Sequence, residues 1–324
     1  MSHPADTYFL VADIGGTNTR VALSNGVDVL KSSIRRFRNA DYAGLQECLD
    51  EFITAEGGVK AKAVCVDVAG PVRNGQARLT NLDWDISTQS LTEATGVEHV
   101  ALLNDLQAQG YALDHVADED LICLRQGLPA DDRAAKLVVN VGTGFNATPV
   151  FSTGAGWLVA TSESGHANMP IRTEDDMRLC AYVESRHGFT AIDDILSGRG
   201  MVRIYSWLAS EAGVEAAPTS AEIMAGCASR SDARAVETVR IFTRLLAMVT
   251  GNLALVQLPF GGIYMVGGLS SAILPFMQEF DFEGAFLDKG RFGAFLNSFP
   301  IHVVQDDYAA LRGCAAFLQA ESQS

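Results

Sequence analysis

Asp13-Ile14-Gly15-Gly16-Thr17-Asn18-Thr19-Arg20 follows the apolar run Tyr8-Phe9-Leu10-Val11-Ala12 and leads into Val21-Ala22-Leu23. A buried strand therefore ends in a carboxylate, two glycines and a hydroxyl, and the chain then re-enters a strand. Adjacent glycines admit backbone angles closed to other residues and let a ligand approach the bare main chain. The N–H groups of such a turn and the Thr17 hydroxyl can donate to phosphate oxygens, and Asp13 stands where a magnesium ion would collect. A tight hairpin with an acidic cap accounts for the same residues equally well. The rest of the chain has to decide between them.

The pattern starts again further on. Leu137-Val138-Val139-Asn140-Val141 runs into Gly142-Thr143-Gly144, a second strand with a glycine/threonine turn. Gly142-Thr143-Gly144-Phe145-Asn146-Ala147 also fits G-x-G-x-x-A, a variant of the dinucleotide fingerprint. That fingerprint must open a helix, whereas Thr148-Pro149-Val150-Phe151 reads as extended. A hairpin turn that touches phosphate, paired with the one at 15–17, is the better account. Two strand-rich halves, each begun by a glycine turn, predict an internally duplicated α/β chain with its ligand between the halves.

The other elements follow from periodicity and caps. Ser32–Arg38 reads as extended, and a helix follows with Tyr42, Leu45, Cys48, Leu49, Phe52 and Ile53 on one face. Lys62–Val68 is a buried strand, Ala77–Thr80 a short one, Ser87–Thr95 a helix and Val100–Leu103 a strand ending at Asn104-Asp105. Thr173 with Asp176 forms a capping box for a helix to His187 stopped by Gly188, and Thr219 with Glu222 opens another. Ser231–Leu258 is a long buried helix, Ile263–Val266 a strand closed by Gly267-Gly268, and Ile301–Val304 and the helix Tyr308–Ala320 end the pattern.

Composition limits the function. The 324 residues are 48% hydrophobic, enough for a large core and two domains. No apolar run reaches the roughly 20 residues that span a bilayer, and residues 1–8 lack the regions of a signal peptide, so a cytoplasmic protein is expected. A net charge of −15 argues against nucleic-acid and anionic-membrane partners. The six scattered cysteines, without C-x-x-C, read as reduced core residues. Walker A and protein-kinase motifs are absent.

Three polar groups stand out. Asn104-Asp105, at the carboxyl end of a strand, has the position of a site residue in an open α/β sheet, and equally that of a helix N-cap. Glu163-Ser164-Gly165-His166 holds an acid and an imidazole beside a glycine, a pair suited to sugar hydroxyls rather than to a metal, for which no third ligand lies near. Gly267-Gly268 suits either close helix packing or a flat platform for adenosine.

Taken in order, these segments resemble the bacterial ATP-dependent glucokinases of the sugar kinase/Hsp70/actin superfamily. The matching pieces include Ala12–Asn18, Ala69-Gly70-Pro71 with Thr80-Asn81-Leu82-Asp83-Trp84, Leu103-Asn104-Asp105, Val141–Gly144, Glu163–His166, Ile195–Gly198, Thr250–Leu255, Val266–Gly268 and Asp288–Phe292. The ROK branch of sugar kinases is less similar, since its cysteine-rich zinc motif is missing. The resemblance implies a duplicated ribonuclease-H-like fold of actin/hexokinase type with an interdomain cleft. Its small α/β domain would be 1–113 plus 304–324, and its large domain 114–303. It also implies that Asp105 is the general base for the 6-hydroxyl of glucose, with Asn104, Glu163, His166 and Asp193 on other hydroxyls. Ala12, Asp13, Ile14, Gly15, Gly16, Thr17 and Asn18, together with Gly142, Thr143 and Gly144, would hold ATP phosphates. Gly267 and Gly268 would face its adenosine. Mg2+ would be held mainly by phosphates and water, with no dedicated protein ligands, and a homodimer is implied.

Three departures from the family pattern bear on specificity. Ser164 stands where relatives carry glycine, Asp193 where they carry glutamate, and Asn146 where they carry a second glycine after the turn. The hydroxyl of Ser164 is placed to crowd or contact a sugar, and Asn146 tolerates a left-handed backbone better than most residues, so the turn can form there although a phosphate approaches it less closely. A kinase for another hexose or an N-acylhexosamine is the nearest rival, and a sugar-binding regulator without turnover the next.

Overall fold

Alternate residues of a strand face opposite ways, and the first strand buries both of its faces. The computed structural model describes residues 7–79 and 84–323. The chain divides into two units, Met1–Ala117 with Asp306–Ser324, and Asp118–Gln305. The Thr80–Asp83 part of the resemblance lies outside the described residues.

In the first unit, β1 (Phe9–Ile14) and β2 (Asn18–Asn25) form an antiparallel hairpin, with β3 (Asp28–Val29) and β4 (Arg35–Arg38) on the far side of β2. Strand β5 (Ala63–Val68) pairs parallel with β1. A small separate sheet contains β6 (Val72–Arg73), β7 (Gln76–Arg78) and β8 (Asp85–Ser87), and β9 (Val100–Asn104) then pairs parallel with β5. Leu10, Ala12, Ile14, Val64 and Val66 face the helix Leu45–Ala55 through Leu45, Cys48, Leu49 and Phe52. Phe9, Val11, Ala63 and Cys65 face the other way, onto Leu311, Cys314, Ala315 and Leu318 of the C-terminal helix Ala309–Glu321. The period of two thus gives this sheet two cores.

The second unit repeats that plan. Strands β11 (Lys136–Val141) and β12 (Phe145–Ser152) form the hairpin, extended by β13 (Trp157–Val159), after an edge strand β10 (Leu121–Arg125). Strand β14 (Ile263–Val266) pairs parallel with β11, and β15 (Ile301–Val304) parallel with β14. The order β13-β12-β11-β14-β15 matches β3-β2-β1-β5-β9 strand for strand and direction for direction. This is the duplicated ribonuclease-H-like architecture expected from the sequence.

Helices fill the rest of this unit. Glu174–His187 and Ser220–Ser229 begin at the capping boxes of Thr173/Asp176 and Thr219/Glu222, and Gly188 closes the first with φ +78°. The helix Ala233–Gln257 supplies Val239, Phe242, Leu245, Leu246 and Val249 to a core shared with Leu137, Val139 and Val141 of β11. Each such fully buried Leu or Phe contributes about 1.5–3 kcal/mol.

Several expectations need correction. The helix Ala233–Gln257 is long and apolar enough to cross a bilayer, contrary to the reading of the sequence, but its most apolar window is 67% buried in the core. Cys123 is exposed at the edge strand; the other five cysteines are buried, and all six are free thiols. The Ser32–Arg38 segment starts as a turn of 3-10 helix, Lys31–Ser33, which lets the Ser33 hydroxyl accept from Leu23 N at 2.9 Å before β4 begins. Tyr42 precedes its helix, packing edge-on to Phe37 at 5.6 Å.

Candidate active site

In the first unit the carboxyl ends of three parallel strands align, with Ile14 beside Val68 and Val68 beside Asn104. The glycine turn and Asp105 therefore emerge at one sheet edge. Gly15 N donates to Asn18 O at 3.0 Å, closing the turn. Asn39 braces it from outside: its N–H donates to Thr17 O at 2.9 Å, its amide to Gly15 O at 2.8 Å, and its Oδ1 accepts from the Thr19 hydroxyl at 2.9 Å. Asn39, 2% exposed, was not singled out from the sequence, because nothing local marks a residue that acts on a turn two dozen positions away.

Asp13 sits just before the turn, with Arg20 Nη1 donating to its Oδ2 at 2.9 Å. Burial pushes the Asp13 carboxyl above its ordinary value, and Arg20 offsets only part of that rise. Its register partner across the parallel pair is Asp67. Asp67 is fully buried; burial, then the charges of Cys314, Asp13 and Asp105, push its carboxyl well above the usual carboxylate range. Cys314 Sγ donates to Asp67 Oδ2 at 3.4 Å, and Asp67 Oδ1 has no hydrogen-bond partner among the described residues. The sequence signal for Asp67 was a lone carboxylate inside an otherwise apolar strand. Magnesium is commonly carried by one or two carboxylates, waters and substrate phosphates, and Asp13 beside a phosphate-sized turn offers that kind of hard oxygen.

Asn104 is a helix N-cap. Its Oδ1 accepts from Leu106 N at 2.9 Å, the Gln107 side chain reaches back to its N–H at 3.1 Å, and its amide donates to Gly70 O at 2.9 Å. Asp105 is the first residue of the helix Asp105–Ala112, and its Oδ1 accepts from Leu106 N at 2.9 Å. The two readings of this pair are thus compatible, since the cap at Asn104 leaves the half-buried Asp105 at the first position of its helix.

In the second unit Gly142 N donates to Gly144 O at 2.9 Å, and Gly198 N donates to Gly142 O at 2.9 Å. This ties the second turn to the first residue of the helix Gly198–Glu211. Gly142 and Thr143 share a cavity of about 570 Å³ with Arg199, Ser220, Met224, Gly268 and Leu269 among others. Gly198, Ser220 and Gly268 each begin a helix, so three helix N-termini border it, an arrangement that suits anions. Met224, Leu269 and Ala272 give it an apolar wall. Gly267 must be glycine: its φ is +94°, and a Cβ would lie 2.4 Å from Asn140 Oδ1 and 2.5 Å from Val141 O.

Glu163 and His166 flank a 3-10 turn, Ser164–His166, with Oε2 and Nε2 3.8 Å apart and both side chains exposed. Asp193, in the short helix Ile192–Ile195, is turned towards the glycine turn. Its Oδ1 accepts from Phe145 N at 2.6 Å and its Oδ2 pairs with Arg199 at 3.1 Å. A carboxylate has about four acceptor positions, so two remain for a ligand. Asn146 makes no use of its tolerance for a left-handed backbone: it lies within β12 opposite Asn140, and positive φ among described non-glycine residues is confined to Asn74, Arg230, Leu258 and Asp281. The Ser164 hydroxyl points back to β12, bonded to Asn146 and Ala147.

Known proteins resemble the chain over nearly its full length. A family model described as glucokinase matches residues 10–321. A glucokinase of Sinorhizobium fredii is 32% identical over 312 residues, 96% of this chain and 92% of that one. Among solved structures, a glucokinase from an Antarctic psychrotroph superimposes with a TM-score of 0.85 at 28% identity, covering 96% of this chain and 98% of the other. A glucokinase from Balamuthia mandrillaris in complex with glucose gives a TM-score of 0.82 at 21% identity, covering 97% and 94%, a likeness of fold.

Proposed function

The chain belongs to the glucokinase family, and from that premise we propose that it moves the γ-phosphoryl group of ATP to the 6-hydroxyl of glucose, with Asp105 as general base. The observation that carries the reading is the alignment of Ile14, Val68 and Asn104, which brings a carboxylate and a glycine turn to one sheet edge. Phosphoryl transfer has a loose transition state, so positioning and charge stabilisation are the protein's main work. Asp105 accepts the hydroxyl proton as the oxygen–phosphorus bond forms. Asn104 keeps a second amide N–H for a neighbouring hydroxyl, and Glu163, His166 and Asp193 offer acceptors and a donor to others. Gly15, Gly16, Thr17 and Asn18, with Gly142, Thr143 and Gly144, supply N–H and hydroxyl donors to the phosphates. Gly267, pressed against Asn140 and Val141, sets the turn from which Gly268, with open space beside it, leaves room for the adenosine beside Leu269. Asp13 would hold, through water, a magnesium ion arriving with ATP, which would supply neutralisation of the phosphate charge. A cytoplasmic homodimer is the proposed setting.

The test is a coupled ADP-release assay over several hexoses. Glucose is expected to give the highest kcat/KM, and a value tenfold below that of another sugar overturns the assignment. Asp105→Asn should keep glucose binding within a few-fold and lower kcat by at least about 10²-fold. A variant that retains a third of the turnover removes Asp105 from this role.

A further inference from the structure

The densest side-chain network near Glu163 and His166 contains neither of them. Asn146 Nδ2 donates to Ser162 O at 2.6 Å, and Asn146 Oδ1 accepts from Ala147 N at 2.9 Å, from the Ser164 hydroxyl at 3.1 Å and from Gly165 N at 3.4 Å. Ser164 Oγ in turn accepts from Ala147 N at 3.0 Å and lies 3.2 Å from Ala147 O. Two side chains, one on β12 and one on the turn, thus share the Ala147 N–H and bond to each other. The turn residues that flank them, Glu163 and His166, have exposed side chains 3.8 Å apart at their charged ends. Glu163 has no side-chain capping bond to the turn it opens, so its direction is inherited from the backbone at 162–165. That backbone is what Asn146 holds, at both Ser162 O and Gly165 N.

We propose that Asn146 and Ser164 act as one positioning unit that fixes the Glu163–His166 turn against β12 and so sets the affinity for sugar. The proposal rests on the sugar-kinase reading above. A network whose members share donors and acceptors is lost as a whole when one member goes, so removing the second costs little more. The Asn146 amide and the Ser164 hydroxyl are both turned to protein groups, so neither needs to touch the sugar to have this effect.

The experiment compares Asn146→Ala, Ser164→Ala, the double variant and Ser164→Thr in the intact chain. Readouts are glucose KM, ATP KM, kcat, calorimetric glucose affinity without ATP, and melting temperature. Each Ala variant is expected to raise glucose KM and weaken glucose binding about fivefold, equivalent to one neutral hydrogen bond. ATP KM and kcat should stay within about twofold, the double variant should match the worse single one, and Ser164→Thr should restore the wild-type KM. A double variant near the multiplied value of about 25-fold overturns the single unit. An unchanged glucose KM, or a change in ATP KM instead, overturns the positioning role, as does a melting temperature that falls below that of the assay. Wild-type protein that makes no sugar phosphate refutes the kinase reading instead, a separate outcome.

Discussion

Replacing Gly165 by alanine should impair the enzyme far more than the size of a methyl group suggests. A Cβ at this position would lie 1.9 Å from Phe145 O and 3.0 Å from the Phe145 carbonyl carbon, where ordinary contact begins near 3.4 Å. Phe145 cannot retreat. It is 4% exposed, it pairs with Val141 in the hairpin, and its N–H is held by Asp193 at 2.6 Å. The turn, whose Glu163 and His166 side chains are exposed, must therefore give way by about 1.5 Å, and misplacement of roughly 1 Å in a substrate-positioning group costs about 10²-fold. The expectation is a fall of about 10²-fold in kcat/KM for glucose, measured by coupled ADP release. Calorimetry should show weaker glucose binding, and overpacking should remove about 1–3 kcal/mol of stability. Gly156→Ala is the control, since a Cβ there meets nothing within 4 Å. A Gly165→Ala enzyme within threefold of wild type in kcat/KM, with unchanged melting, refutes the argument that this turn is held by backbone contact.

Two further substitutions test the surroundings. Asp193→Asn should raise glucose KM about fivefold, because the Phe145 N–H loses a charged acceptor and Arg199 its partner; a rise in ATP KM alone would take the carboxylate from the sugar and assign it to the phosphate turn. Asp176 is 2% exposed; burial alone would raise its carboxyl, but Arg244 and the N–H groups of Arg172 and Thr173 outweigh that and hold it below the usual range. A carboxylate depressed on folding adds stability that is fully present above its unfolded value, about 3.9, and is lost as pH falls through the lower folded one. Asp176→Asn should therefore cost about 2 kcal/mol by denaturant melts at pH 5–8, with the gap closing below about pH 4; a gap that persists at pH 2 contradicts the ion-pair account.

Local rules read much of this molecule from its sequence. The capping boxes at Thr173/Asp176 and Thr219/Glu222, the glycine stop at 188 and the buried strand at 63–68 follow from short-range chemistry and stand in the structure where it placed them. The fingerprint at 142–147 was correctly set aside, because β12 continues through Pro149 as an extended strand. What escaped were pairings made by the fold. Asn39 grips a turn 24 positions earlier, and Cys314 meets Asp67 across 247 positions. As a single residue Asn146 suits a left-handed backbone, yet its ladder partner Asn140 holds it extended. It and Ser164 were weighed as separate departures, though each is the other's hydrogen-bond partner. Periodicity cannot see such pairs, since neither member alone alters a local pattern.

The first unit takes its closing helix from the far end of the chain. Phe9, Val11, Ala63 and Cys65 are covered by Leu311, Cys314 and Leu318, so on the ribosome that side of the earliest sheet, packed by Ala108 and Tyr111 of the helix Asp105–Ala112, stays part-open while the second unit is translated. The second unit is continuous in sequence and has no such wait. Synthesis therefore finishes in the reverse order to its start: the part begun first is the part sealed last, when the final helix emerges and docks on strands made long before.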